Sequence, residues 1–143
     1  MYEALKSAHS GLRWVVIALI IWAIYNAFMA KDFNKREKLV NLFSMVSVHT
    51  QLILGFILYV KSPKVQFFDG WMKDSLYRFY GMEHLLGMFI AVVLITIGYS
   101  KSKRANTAAE KFKPIKIFYL IGLIIILASI PWPFRANLGG AWF

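Results

Sequence analysis

The chain reads as an all-α integral membrane protein, a four-helix up-down bundle. Four long apolar runs are separated by short basic segments, and the composition is 59% hydrophobic and 17% aromatic. A mean hydropathy of +0.55 is too apolar for an ordinary soluble domain. Strands are excluded, because an open sheet leaves its backbone unsatisfied in lipid and four strands cannot close a barrel. With 143 residues, the chain is expected to be a single domain stabilised by the bilayer and by helix packing.

The first helix is expected over 8–30, around the apolar run Leu12 to Met29. That run is too long for a signal-peptide core and lacks a convincing cleavage site, so it belongs to the mature protein. The second is expected over 39–61, where the Ser62-Pro63 step stops it. The third is expected over 75–100, with Asp74 or Ser75 as its cap. The fourth is expected over 114–131: Pro114 suits a first turn, and Pro131 and Pro133 end the helix. Each run approaches the ~20 residues that a membrane span needs. Short connections make consecutive helices antiparallel neighbours.

The net charge of +10 sits in the segments between apolar runs, which is the pattern of membrane insertion and not of nucleic-acid binding. Lys31, Lys35, Arg36 and Lys38 occupy the first loop; Lys101, Lys103, Arg104, Lys111, Lys113 and Lys116 surround the third. These ten outweigh the seven basic residues left elsewhere among the 17. The bias predicts loops one and three in the cytoplasm and both termini on the outer, periplasmic side of a bacterial inner membrane. Tyr2, Trp14, Phe67, Phe68, Trp71, Tyr77, Tyr80, Trp132 and Trp142 then form an outer aromatic belt.

Chemistry points to three histidines, His9, His49 and His84, one in or beside each of the first three spans. An ionisable ring in hydrocarbon is costly unless something satisfies it, so such a group is a functional hypothesis by default. The chain has no cysteine, which excludes disulfides, cysteine-ligated iron–sulfur clusters and thioether-attached haem. Two imidazoles can instead ligate a non-covalent haem b. At ~1.5 Å of rise per residue, His84 lies roughly 9 Å below the outer edge and His49 about 18 Å, with His9 near the surface. Side chains lean toward the N-terminus of their helix. His9 and His84 therefore lean outward together, while His49 leans inward. The expected ligands are His9 and His84, with His49–His84 as the alternative pair that a helix tilt of ~20° would allow.

Arg13, one turn from His9, and Arg135, just past the fourth helix, are candidate partners of haem propionates. Gly11 and Gly87 are expected to make room for a flat macrocycle, and Gly55, Gly98 and Gly122 to let helices pack closely. Met45, Met82 and Met88 are alternative sixth ligands, against a simple packing role. Each histidine also has a plainer reading. His9 can be an interfacial residue, and His49 can bond Ser47, Thr50 or Gln51. Glu83 and His84 can form a proton-handling pair. Zinc or haem-free iron needs three or four ligands at one point, and the histidines are spread in depth. No Ser-His-Asp set, phosphate loop or carboxylate pair is present.

The stretches HSGLRW (9–14), HTQLILGFILY (49–59), SPKVQF (62–67), MKDSLYRF (72–79), the Glu83-His84 pair, TIGYSKSK (96–103) and ASIPWPFR (128–135) resemble short four-helix membrane proteins labelled cytochrome B. The likeness covers nearly the whole chain and implies haem b and electron transfer. His9 and GWMK (70–73) are also similar, more faintly, to the small four-helix haem-binding protoporphyrinogen oxidases. The basic pair in that family's third helix has no clear counterpart here. The expected function is a one-haem b-type cytochrome near the outer leaflet, exchanging electrons with quinol or an outer-face redox protein. The alternatives are a haem-dependent oxidase of the protoporphyrinogen oxidase type, or a non-catalytic accessory subunit of a membrane complex. A homo-oligomer is compatible with each, and nucleic acid is not an expected partner.

Overall fold

A computed structural model describes all 143 residues. The protein is all-helical, and four helices are long and apolar enough to span a membrane: α1 (Tyr2–Met29), α2 (Lys35–Lys61), α3 (Ser75–Arg104) and α4 (Ala108–Ser129). Each packs on its chain neighbours, and α4 closes the ring against α1. The diagonal pairs scarcely touch, so any interior space lies between α1 and α3 or between α2 and α4.

Only 29 of 143 residues are buried, although most of the chain is apolar. The outer faces are therefore hydrophobic too, as expected where lipid replaces water around a bundle. The buried set centres on Ile20, Ala91, Ile95, Ile115 and Tyr119. Two glycines allow this packing. A Cβ on Gly98 would lie 2.8 Å from Phe118 Cβ, and one on Gly122 would lie 2.9 Å from Ile95 Cγ1. Small residues are how membrane helices approach closely.

Helix starts are fixed by local polar chemistry. The Glu37 carboxylate accepts from the Asn34 N–H at 3.0 Å at the head of α2. Asp74 accepts from the Leu76 N–H at 2.9 Å at the head of α3. The fourth helix begins six residues before the expected Pro114. Thr107 and Glu110 form a capping box there, with Thr107 Oγ1 accepting from the Glu110 N–H at 3.2 Å. Pro114 thus lies inside α4, where it lacks a donor for the helical ladder. The following residues, Ile115–Tyr119, form a π-helical turn.

A second π-helical turn, Phe79–Glu83, interrupts α3 immediately before His84. Such turns loosen the regular ladder, and any carbonyl released needs another donor. The Tyr59 hydroxyl of α2 supplies one, donating to the Gly81 carbonyl at 2.8 Å. This ties α2 to α3 at the depth of the site.

Candidate histidine-pair site

A cavity of about 170 Å³ opens at the end of the bundle near the N-terminus, lined by residues of all four helices. His9, Arg13 and Val16 reach it from α1, Gln51, Leu52 and Gly55 from α2, Tyr80, His84 and Met88 from α3, and Ile126 from α4.

His84 is held by the end of α4. The last carbonyls of a helix have no partner within it. Ser129 is the last residue of α4, and its carbonyl accepts from His84 Nδ1–H at 2.7 Å. The contact needs a close approach of the two helices, and Gly87 permits it. A Cβ on Gly87 would collide with the Ser129 hydroxyl. Gly87 therefore serves helix packing, contrary to the expected role of making room for a macrocycle. Gly11 does not serve it either, since a Cβ there would meet nothing within 4 Å. With Nδ1 carrying the donated proton, the neutral His84 ring leaves Nε2 as a free lone pair.

His9 faces His84, with ring centroids 6.3 Å apart and an interplanar angle of 72°. Gly55 makes this placement possible. A Cβ on Gly55 would stand 3.3 Å from His9 Cε1, tighter than nearly all real contacts of that kind. The glycine expected only to bring helices together thus seats the first histidine. Gln51, one turn earlier on α2, donates from Nε2 to the His9 carbonyl at 2.7 Å. His9 Nδ1 and Gln51 Oε1 are both buried without a hydrogen-bond partner, as is Arg13 Nε.

His49 lies outside the cavity. Its Nδ1 donates to the Met45 carbonyl at 2.8 Å, and its Nε2 lies 3.3 Å from Thr96 Oγ1. The Thr96 hydroxyl has one proton, shared between this ring and the Val92 carbonyl at 2.7 Å. The ring is thus occupied by α2 and α3, and by none of the neighbours expected from the sequence. Glu83 does not pair with His84 either. It bridges to Arg78 Nε at 2.7 Å. Of the three methionines singled out, Met88 alone lines the cavity.

The two arginines serve the chain end. Arg13 Nη2 donates to the Ala141 carbonyl at 3.2 Å and to the Trp142 carbonyl at 2.6 Å. Trp14 Nε1 adds a bond to the same Trp142 carbonyl at 3.0 Å. Arg13 also lies 5.3 Å from the Trp14 ring and 5.7 Å from the Trp132 ring. Arg135 caps α4, donating to the Ala128 carbonyl at 3.0 Å and the Ile130 carbonyl at 3.2 Å. Its guanidinium stacks over Phe79 at 4.8 Å, and it does not line the cavity.

Lys64, in the α2–α3 connection, completes the cover over this end of the bundle. Its ammonium donates to the Gly139 carbonyl at 3.0 Å, and the Tyr80 hydroxyl donates to the Leu138 carbonyl at 2.9 Å. Burial holds the Lys64 ammonium below the usual lysine range, and the nearby charge of Lys6 pushes the same way. Residues 138–142 are thereby pinned at this end of the bundle from three elements, beside the cavity residues Arg13 and Tyr80. Gln51, Gly55, Tyr80 and this tail were not among the residues expected to build the site.

No group of three or more histidine, cysteine or carboxylate side chains comes together anywhere in the protein. The site is a two-imidazole site. Comparison with family models, curated proteins and solved structures finds no match for this chain.

Arg13→Ala removes the double anchor of the tail. Charged hydrogen bonds contribute about 1.5–3 kcal/mol each. Amide exchange at residues 138–142 should therefore rise about tenfold or more in the variant, with the exchange of α2 unchanged. Unaltered tail exchange would show that Arg13 does not hold it.

Proposed function

We propose that this protein is a small membrane b-type cytochrome, in which His9 and His84 would hold one haem b. The observation that carries the reading is the facing pair of rings with no third ligand beside them. Two imidazoles that would hold one metal ion must stand close together with the ion between them. His9 and His84 stand at 6.3 Å. A bare zinc or iron ion needs more protein ligands than two. A macrocycle supplies four of its own, so two imidazoles complete the set.

The donor chemistry fits that group. His84 Nδ1–H donates to a backbone carbonyl, the arrangement that orients a metal-binding imidazole and leaves Nε2 free. The walls are apolar, with Leu52, Leu85, Met88 and Ile126 facing the rings. At 170 Å³ the cavity is smaller than the ~300 Å³ typical of small-molecule pockets. Uptake therefore requires the cavity to widen. Haem b supplies a one-electron iron couple, and the chain supplies ligation and a dry surrounding that sets its potential. Gln51 holds the α1 backbone at His9, and Ser129 holds the His84 ring.

The cytochrome B resemblance supports the same reading. The site lies at the end carrying both termini, opposite the ten-cation end of the bundle. By the positive-inside bias that end is the outer one, which favours electron exchange with quinol in the membrane or with an outer-face redox protein.

The purified protein should show a reduced-minus-oxidised b-haem spectrum, as isolated or after addition of haemin. His84→Ala and His9→Ala should each lose it, and His49→Ala should keep it. A protein that takes up no haemin would refute the reading. Loss in His49→Ala with retention in His9→Ala would assign the wrong pair. A C-terminal tag should be reachable from outside in intact spheroplasts; a tag protected until the membrane is permeabilised would reverse the orientation.

A further inference from the structure

The opposite end of the bundle carries a second cavity, which the haem reading does not use. It lies between the end of α1 and the first half of α4, with a volume of about 350 Å³. Three lysines line it, Lys31, Lys113 and Lys116, over an apolar floor that includes Ala27, Phe28 and Phe112. We propose that this groove binds the phosphate headgroup of an anionic phospholipid.

Charge is the first argument. The chain's ion pairs are Lys6–Glu3, Arg36–Glu37 and Arg78–Glu83, and none involves these lysines. Three ammonium groups brought to one groove repel one another unless an anion joins them. Two other cations beside the groove are already engaged with backbone carbonyls. Lys111 donates to the Ser102 carbonyl at 3.2 Å, and Arg104 to the Ser100 carbonyl at 3.2 Å. Glu37, the buried acid nearby, is held by Arg36 at 2.7 Å. The groove has no internal counterion.

The shape is the second argument. Lys116 lies in the π-helical turn Ile115–Tyr119, and its ammonium sits 5.1 Å over the Phe28 ring of α1. The cation is thus held at the seam of the two helices. Below it, Phe28 and Ile117 both line the groove and remain 57% and 45% exposed. A headgroup among the lysines would lay its acyl chains on those residues. A polar head, an apolar tail and a basic pocket between membrane helices together specify an anionic lipid.

The test uses the full-length protein in neutral detergent, with bound lipid counted by native mass spectrometry. Phosphatidylglycerol should be retained and phosphatidylcholine should not. Each lysine near a membrane surface contributes about fivefold in affinity for anionic lipid, so the triple variant K31Q/K113Q/K116Q should bind roughly a hundredfold more weakly. The variant K31R/K113R/K116R keeps the charge and should retain the lipid. The control K101Q/K103Q/R104Q removes three charges from the same end but outside the groove, and should bind as the wild type does. Equal loss in the control would show general electrostatic attraction and overturn the site. Thermal stabilisation by inorganic phosphate alone, with no phosphatidylglycerol retained, would identify free phosphate as the ligand and overturn the lipid assignment.

Discussion

The hydrogen bond from His84 to the Ser129 carbonyl organises this protein. A helix that ends inside apolar surroundings leaves carbonyls that no water can reach, and each costs free energy until a donor arrives. His84 Nδ1–H meets that need for the Ser129 carbonyl at 2.7 Å, beside Arg135 on Ala128 and Trp132 on Leu127. Gly87 supplies the close approach that the bond requires, because any larger residue would meet the Ser129 hydroxyl. One contact therefore ties α3 to α4 and places the proton on Nδ1.

The remaining parts of the site follow from the same need to satisfy polar groups. Five buried side-chain atoms have no partner in the structure, and three of them, His9 Nδ1, Arg13 Nε and Gln51 Oε1, belong to residues lining one cavity. Native proteins satisfy most buried polar atoms, and the exceptions concentrate where something else is to be bound. His49 makes the contrast. Both of its nitrogens are near partners within α2 and α3, and it lies away from the cavity. The two lysine-rich and histidine-bearing ends of the bundle thus differ in kind. One collects unpartnered polar atoms around a largely apolar cavity, and the other collects lysines at an apolar seam.

The four spans were readable because hydropathy alone decides them, and the facing of His9 and His84 was readable from helix polarity and side-chain lean. The start of α4 was misplaced because the apolar run begins at Ile115, although the Thr107–Glu110 capping box is a local signal for an earlier start. Neither π-helical turn leaves a mark in apolar periodicity. The first depends on how a neighbouring helix receives the released backbone, as Tyr59 does for Gly81, and the second follows directly on Pro114. The roles of the glycines were exchanged for a similar reason. Gly55 and Gly87 look alike along the sequence, and what each faces, the His9 ring or the Ser129 hydroxyl, is settled only by tertiary contact. The arginines were assigned by depth to a haem edge, whereas the tail and the end of α4 lie nearer and offer them carbonyls.

The central claim is that two imidazoles, and no methionine, complete the coordination of one iron between α1 and α3. Pulsed electron paramagnetic resonance of the oxidised protein, grown with ¹⁵N-labelled histidine, reads the number of coordinating imidazoles directly. The account predicts a low-spin ferric centre coupled to two histidine nitrogens, and no such centre when His9 is replaced. A five-coordinate high-spin centre, or a wild-type spectrum with one coupled histidine, would contradict it.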